Sequence, residues 1–119
     1  MKVKTDKLQT YRNFRKNQEH TVNSMMVRAH VFVTGRVQGV FFRSETRNEA
    51  NKHAVTGWIC NVSDGRVEAV FEGKEENVKK LIEFCKQGPP GARVTNVDVI
   101  WENYTGKFRN FEIRYGYRF

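Results

Sequence analysis

Residues 33–43 join a predicted strand to a predicted helix through a loop with two glycines, Val-Thr-Gly-Arg-Val-Gln-Gly-Val-Phe-Phe-Arg. Gly35 and Gly39 can take positive φ angles that other residues avoid, which allows the chain to turn tightly. A glycine loop before a helix directs several backbone N–H groups inward, beside the positive end of the helix dipole. Arg43 falls in the first helical turn, where its planar guanidinium can close over a bound anion. The segment therefore predicts an anion-binding loop suited to phosphate.

The loop lacks the residues that other phosphate chemistries need. Gly-Val-Phe-Phe-Arg stands where a nucleotide-binding P-loop requires Gly-Lys followed by Ser or Thr. No Asp or Glu lies between Val33 and Arg43 to hold Mg²⁺, and no cysteine lies there to become phosphorylated. We therefore expect the loop to hold a phosphate without attacking it through a side chain. On the glycines alone, the favoured alternative is a plain β–α turn with a surface arginine.

Two strings of the chain resemble the two signatures of the acylphosphatase family. The first is the loop itself, from Val33 to Arg43, and the second is Gly57-Trp58-Ile59-Cys60-Asn61 followed by Gly65 and Val67. The resemblance covers about residues 27–115. One departure is mild: Ile59 and Cys60 replace a small apolar residue and a long polar one. Because neighbouring strand residues face opposite sides, Cys60 should point away from the face that carries Asn61.

The resemblance implies an enzyme that hydrolyses the carboxyl–phosphate bond of acyl phosphates to a carboxylate and inorganic phosphate. It implies Arg43 as the main phosphate-binding and catalytic side chain, and Asn61 as the residue that holds the attacking water. The substrate phosphate would also contact the loop backbone, at Gly35, Arg36, Val37, Gln38, Gly39 and Val40. Since the leaving carboxylate is a weak base, catalysis can rest on positioning and charge stabilisation. No metal or cofactor is expected.

Several of these residues also have ordinary structural interpretations. Asn61 could instead cap a hairpin turn through its side chain. Arg36 could simply face solvent, and Gln38 could brace the loop through hydrogen bonds rather than touch the substrate. The sequence indicates a phosphate site and no acyl-group pocket.

Two other functions are compatible with the same pattern. One is a phosphate-binding accessory or regulatory domain without turnover, of the kind found in hydrogenase-maturation proteins. The other is a nucleic-acid-binding module, since RNA-recognition domains share this class of fold. Such domains carry an aromatic-rich string on their third strand. The corresponding strand here, Arg-Val-Glu-Ala-Val-Phe-Glu over residues 66–72, lacks that string, so nucleic acid is not expected as a partner.

Length and charge suggest one domain behind a basic leader. A chain of 119 residues can bury a modest core without disulfides or metals. Residues 1–26 carry six Lys or Arg against Asp6 and Glu19, which is half of the net charge of +8. This leader is expected to be flexible, with residues 27–119 forming the acylphosphatase-like domain. A nucleic-acid-binding arm is the less favoured interpretation.

The rest of the composition indicates a small cytoplasmic enzyme. No apolar run is long enough for a membrane span, and the N-terminus lacks the apolar stretch of a secretory signal. Cys60 and Cys85 are interpreted as buried thiols in a reducing compartment. We expect a monomer that acts on a small-molecule acyl phosphate.

The periodicity of the chain predicts an α+β fold. An apolar stripe of Val78, Leu81, Ile82 and Cys85 gives the clearest helix, which Gly88-Pro89 should end. The predicted strands are 28–33, 57–62, 66–72, 93–101 and 111–115, and the other helix spans 42–53. The order βαββαβ plus an extra C-terminal strand is that of a ferredoxin-like sandwich. Such a fold has an antiparallel sheet with both helices on one face, and the family resemblance implies the same architecture.

Overall fold

The computed structural model describes residues 25–118 and the backbone of residues 3–4. These residues form a six-stranded sheet with two helices. The elements are β1 (Val3–Lys4), β2 (Met26–Arg36), α1 (Phe42–Lys52), β3 (Thr56–Val62), β4 (Val67–Lys74), α2 (Glu75–Gln87), β5 (Arg93–Glu102) and β6 (Phe111–Arg118). Apart from β1, which was not expected, they follow the predicted order, with boundaries that shift by up to three residues.

The sheet has the strand order β1-β5-β2-β4-β3-β6, and neighbouring strands among the four central ones, β5, β2, β4 and β3, are antiparallel. The predicted ferredoxin-like fold is confirmed, but the sheet is mixed rather than antiparallel throughout. β6 runs parallel to β3, with Gly57 opposite Phe111, and β1 runs parallel to β5. The short connection over residues 103–110 reverses the chain after β5. β6 therefore takes the direction of β3, beside which it lies.

Both helices cover one face of the sheet, and the hydrophobic core lies between them and the strands. The predicted stripe on α2 is buried as a unit, and α2 ends at Gln87, before Gly88 with a positive φ of 73°. On α1 the buried residues are spaced by four, and the buried hydroxyl of Thr46 donates to the carbonyl oxygen of Phe42 at 2.7 Å. Alternate residues of β2 supply the sheet side of the core, namely Val27, Ala29, Val31 and Val33.

The helix-free face of the sheet carries buried carboxylates. Glu68 and Glu72 on β4 are each about 1% exposed. Glu72 accepts a hydrogen bond from Arg28 at 3.1 Å and three more from residues 105 and 106 of the β5–β6 connection, at 2.8–3.1 Å. Arg28 also donates to Glu102, and His30 contacts both Glu68 and Glu102. These contacts hold the connection against the sheet and leave the buried carboxylates paired.

Both cysteines are buried, as predicted. Cys60 packs with Trp58 and Val70 on the helix-free face, and Cys85 lies in the main core. Burial raises the pKa of the Cys60 thiol, and the nearby charge of Glu68 adds to that effect. Burial alone raises the pKa of Cys85 to about 12. Both side chains are therefore neutral thiols that pack as small apolar groups.

Most of the predicted basic leader lies outside the described residues. Within it, Val3–Lys4 add the short edge strand β1 to β5, with Val3 opposite Val99. Met25 is buried, and its carbonyl oxygen accepts a hydrogen bond from the backbone N–H of Glu75 at 3.0 Å. Neither helix of the described part of the chain has the length and apolar character that a membrane span requires.

Replacing Glu72 by Gln should lower the free energy of unfolding by about 2–4 kcal/mol, because Arg28 and the backbone donors of the connection would lose their buried anion. Urea denaturation followed by circular dichroism measures this change. Glu83→Gln is the control, since it removes an exposed pair with Lys86 that should contribute less than about 0.5 kcal/mol. Equal stability of the two variants would contradict a structural role for the Glu72 carboxylate.

Candidate active site

A cleft of about 270 Å³ opens where the N-terminus of α1 meets β3 and β6. We call it the α1–β6 cleft, and its lining consists of Val37, Gly39, Phe41, Phe42, Arg43, Ser44, Asn61, Ile113 and Tyr115. The loop between β2 and α1 forms one wall, and β6 forms the opposite one. The two strings singled out in the sequence therefore meet at one place, through Arg43 and Asn61.

Gly35 lies beside the cleft, where β2 passes very close to β5. β2 continues to Arg36, and its register against β5 shifts between Thr34 and Gly35, which marks a β-bulge. Gly35 has a φ of 134°, and a Cβ atom there would lie 2.0 Å from the carbonyl oxygen of Arg93. Only glycine permits this close passage of the two strands. The glycine thus fixes the point at which the loop leaves the sheet.

The loop that follows is held firmly at its beginning. Val37 is buried in the core, and the side-chain amide of Gln38 donates to the carbonyl oxygens of Val62 and Arg66, at 2.8 and 2.9 Å. These two bonds tie the loop to the β3–β4 hairpin. The Gln38 side chain therefore braces the loop, as the structural interpretation of that residue predicted.

Two residues with positive φ complete the turn into α1. Gly39 has a φ of 75°, and Phe41 has a φ of 64° although it is not glycine. The left-handed conformation costs a bulky residue about 1–2 kcal/mol. Phe41 occupies the N-cap position of α1 without a side-chain cap. The first backbone N–H groups of a helix have no acceptors within it, so this end of α1 presents donors and a positive dipole.

Arg43 lies in the first turn of α1 and is partly buried. Among the described residues, no carboxylate lies within ion-pair distance of its guanidinium. Its central carbon instead lies 5.4 Å from the centroid of the Tyr115 ring, which is a cation–π distance. Within the part of the chain that the structure describes, no carboxylate therefore neutralises the positive charge at the cleft.

Asn61 lies on β3, two residues before the β3–β4 hairpin turn, and is 8% exposed. Its side-chain oxygen is buried and accepts no hydrogen bond from the described residues. The hairpin turn is closed by Asp64, whose carboxylate accepts from the backbone N–H of Arg66 at 3.1 Å. Asn61 therefore does not cap the hairpin turn, which was the alternative structural interpretation of this residue. Buried amide oxygens nearly always have a partner, so this one is available to a ligand.

A bulge in β6 shapes the wall opposite the loop. Cys60 pairs with Arg114, whereas the next residue, Asn61, pairs with Tyr117, so two additional residues of β6 lie between these pairs. One of them is Tyr115, which lines the cleft. As predicted, Cys60 points away from the face that carries Asn61: Cys60 packs on the helix-free face, whereas Asn61 lines the cleft. The bulge places an aromatic ring beside Arg43, in the cleft that Asn61 also lines.

The structure brings together only some of the predicted site residues. Val37, Gly39, Arg43 and Asn61 line the cleft, whereas Gly35, Arg36, Gln38 and Val40 do not. Arg36 is exposed at the end of β2, and Val40 packs against the core. The lining residues that the sequence did not indicate are Phe41, Phe42, Ser44, Ile113 and Tyr115. No cluster of three or more His, Cys, Asp or Glu that could hold a metal ion occurs in the described part of the chain.

The fold and the cleft define a class of small ferredoxin-like domains with an arginine beside a glycine-bearing loop. Comparison with known proteins identifies the family. The acylphosphatase family model matches residues 29–113. An acylphosphatase of Pelotomaculum thermopropionicum is 59% identical over 88 residues, which are 74% of this chain and 96% of the relative.

Solved structures agree with this match. A structure of an acylphosphatase from Coxiella burnetii has a TM-score of 0.71 and 38% identity, over 75% of this chain and 93% of that one. The crystal structure of acylphosphatase from Bacillus subtilis has a TM-score of 0.72 and 37% identity, over 76% of this chain and all of that one. The chain belongs to the acylphosphatase family, and the predicted family and enzyme class are confirmed.

Replacing Gln38 by Ala should loosen the loop, because two hydrogen bonds to the hairpin would be lost. We expect faster hydrogen exchange at the amides of residues 37–41 and a loss of about 1–2 kcal/mol in the free energy of unfolding. Gln87→Ala, at the exposed end of α2, is the matched control and should change neither quantity measurably. Unchanged exchange in the Gln38 variant would contradict the bracing role of its side chain.

Proposed function

We propose that the protein hydrolyses acyl phosphates by direct attack of a water held by Asn61, with the substrate phosphate bound by Arg43 and by the loop backbone, of which Val37 and Gly39 line the cleft. Membership of the family means that the protein is an acylphosphatase, a hydrolase. The assignment of roles within the site is our inference. One observation carries it: the unpaired buried oxygen of Asn61 lines the same cleft as Arg43, which has no carboxylate partner among residues 25–118.

The charge at the cleft favours a phosphate as the bound group. The Arg43 guanidinium offers a planar set of donors that matches two phosphate oxygens, and no protein carboxylate competes for it within the described residues. Backbone N–H groups of the loop and of the first turn of α1 add donors of fixed direction. Since these groups are in place before the substrate arrives, they can stabilise the charge that develops on the phosphoryl oxygens.

The chemistry of Asn61 suits a water-positioning role. An amide oxygen accepts a hydrogen bond from water but is too weak a base to remove its proton. The water oxygen bonds to phosphorus while the bond from phosphorus to the bridging oxygen breaks, and the bridging oxygen leaves on the carboxylate. The substrate phosphate itself can accept the proton of the water. The products are then a carboxylate and inorganic phosphate, with all atoms accounted for.

We also propose that turnover needs no metal ion. The residues that line the α1–β6 cleft include no Asp, Glu, His or Cys, and hard cations such as Mg²⁺ require oxygen ligands, usually carboxylates. Arg43 and the backbone donors offer positive charge at the phosphate instead. The position of the cleft at a helix N-terminus supports this proposal, because such ends bind anions directly.

Arg43→Gln and Asn61→Ala should each lower kcat/KM for benzoyl phosphate, assayed with EDTA present, by about 100-fold or more. Inhibition by inorganic phosphate should be nearly lost in the arginine variant and largely kept in the asparagine variant. Arg47→Gln and Asn48→Ala on α1 are the matched controls, since neither residue lines the cleft.

The same assay distinguishes the alternative functions. A folded parent protein that binds phosphate without hydrolysing benzoyl phosphate would instead support the accessory-domain hypothesis. Strong activity in Arg43→Gln would remove that residue from the proposed mechanism. Activity that disappears with EDTA and returns with added Mg²⁺ would contradict the metal-independent route.

We further propose that residues 27–119 carry the activity, so a chain that begins at Met25 should keep kcat/KM within about twofold of the parent. The reason is geometric: β1 lies at one edge of the sheet, and β6, which lines the cleft, lies at the other. Kinetics with benzoyl phosphate and a thermal unfolding curve measure the effect. Loss of activity in a shortened chain that still folds would place part of the leader in the site.

A further inference from the structure

The mouth of the α1–β6 cleft carries two exposed aromatic rings. Among the large hydrophobic residues of the described part of the chain, Phe41 and Tyr115 are the most exposed, at 78% and 77%. Both line the cleft, one from each wall. A single exposed aromatic residue is ordinary, but two that converge on one concave site are typical of a ligand-binding surface.

The backbone conformation of Phe41 is a second, independent observation. Its φ of 64° lies in the left-handed region, where glycine or asparagine is usual and a bulky side chain is strained. Burial of the ring does not compensate for this strain, because the ring stands in solvent. Strained residues concentrate at functional sites, where the surrounding structure holds them. The conformation places the ring at the rim of the cleft, two residues before Arg43.

Tyr115 reaches the same place from β6 because of the bulge opposite Asn61. Its ring contacts the Arg43 guanidinium, the proposed phosphate-binding group. Ile113, two residues earlier on β6, continues this wall and packs against the core. The wall next to the proposed phosphate position is therefore apolar and aromatic.

We propose that Phe41 and Tyr115 form an acyl-group subsite that favours acyl phosphates with a flat, uncharged, aromatic acyl group. This inference rests on the proposed function. In an acyl phosphate a single oxygen joins the phosphorus to the carbonyl carbon. A phosphate at Arg43 therefore brings the acyl group to the mouth of the cleft, between the two rings. Besides Arg43 the lining has no charged side chain, so nothing in it would favour a charged acyl group.

The test compares benzoyl phosphate with acetyl phosphate, which share the reacting bond and differ in the acyl group. The parent should have a kcat/KM for benzoyl phosphate about tenfold or more above that for acetyl phosphate. Phe41→Gly removes the ring at a position whose φ suits glycine. It should lower kcat/KM for benzoyl phosphate about fivefold or more, mainly through KM, and change that for acetyl phosphate less than about twofold.

Variants of Tyr115 separate the ring from its hydroxyl group. Tyr115→Phe should keep the preference for benzoyl phosphate, since the ring remains. Tyr115→Ala should lower kcat/KM for both substrates, because the ring also contacts Arg43. The decrease should be larger for benzoyl phosphate than for acetyl phosphate. Tyr104→Ala is the control, as this tyrosine is exposed in the β5–β6 connection and does not line the cleft.

Three results would overturn the subsite. They are a parent that prefers acetyl phosphate, a Phe41→Gly variant whose selectivity is unchanged, and equal losses for both substrates in Tyr115→Ala. In each case hydrolysis by the parent would leave the proposed function standing. A folded parent that hydrolyses neither compound would contradict the proposed function itself.

Discussion

The buried carboxylate of Glu72 is the interaction on which the second half of the structure depends. It lies at the centre of the sheet on the helix-free face and accepts hydrogen bonds from Arg28 and from the β5–β6 connection. An anion at this depth is tolerated only because its donors are complete. Those donors hold the connection as it carries the chain from β5, past β2 and β4, to the far edge. The path ends with β6 beside β3.

The cleft follows from that path. Once β6 lies along β3, its bulge stands opposite Asn61, and Tyr115 meets Arg43 across the cleft. A network on one face of the sheet thus positions a wall of the site on the other. The same arrangement separates the charges. The carboxylates of Glu68 and Glu72 are satisfied on the helix-free face, whereas the arginine on the cleft side has no carboxylate partner among the described residues.

Much of the fold could be predicted from local patterns. The apolar stripe of α2 and the alternating apolar residues of β2 each mark an element that is buried on one side only. The spacing of the apolar residues along the sequence is enough to identify both elements. Arg43 and Asn61 could be placed in one site only through the family resemblance, since they lie on different elements. The parallel pairing of β6 could not be predicted, because it is a contact with β3, which lies far away in the sequence. The role of Tyr115 in lining the cleft was missed for the same reason.

The positive φ of Phe41 could not be predicted from the sequence either. A phenylalanine gives no signal of a positive φ, since residues with that tendency are glycine and asparagine. The conformation is imposed from both sides, by buried Val37 and the Gln38 brace before it and by buried Phe42 after it. The free energy of the core and of the hairpin bonds thus holds the loop in one shape. A loop held in this way loses little conformational freedom when an anion binds, so its donors act at full strength on the ligand.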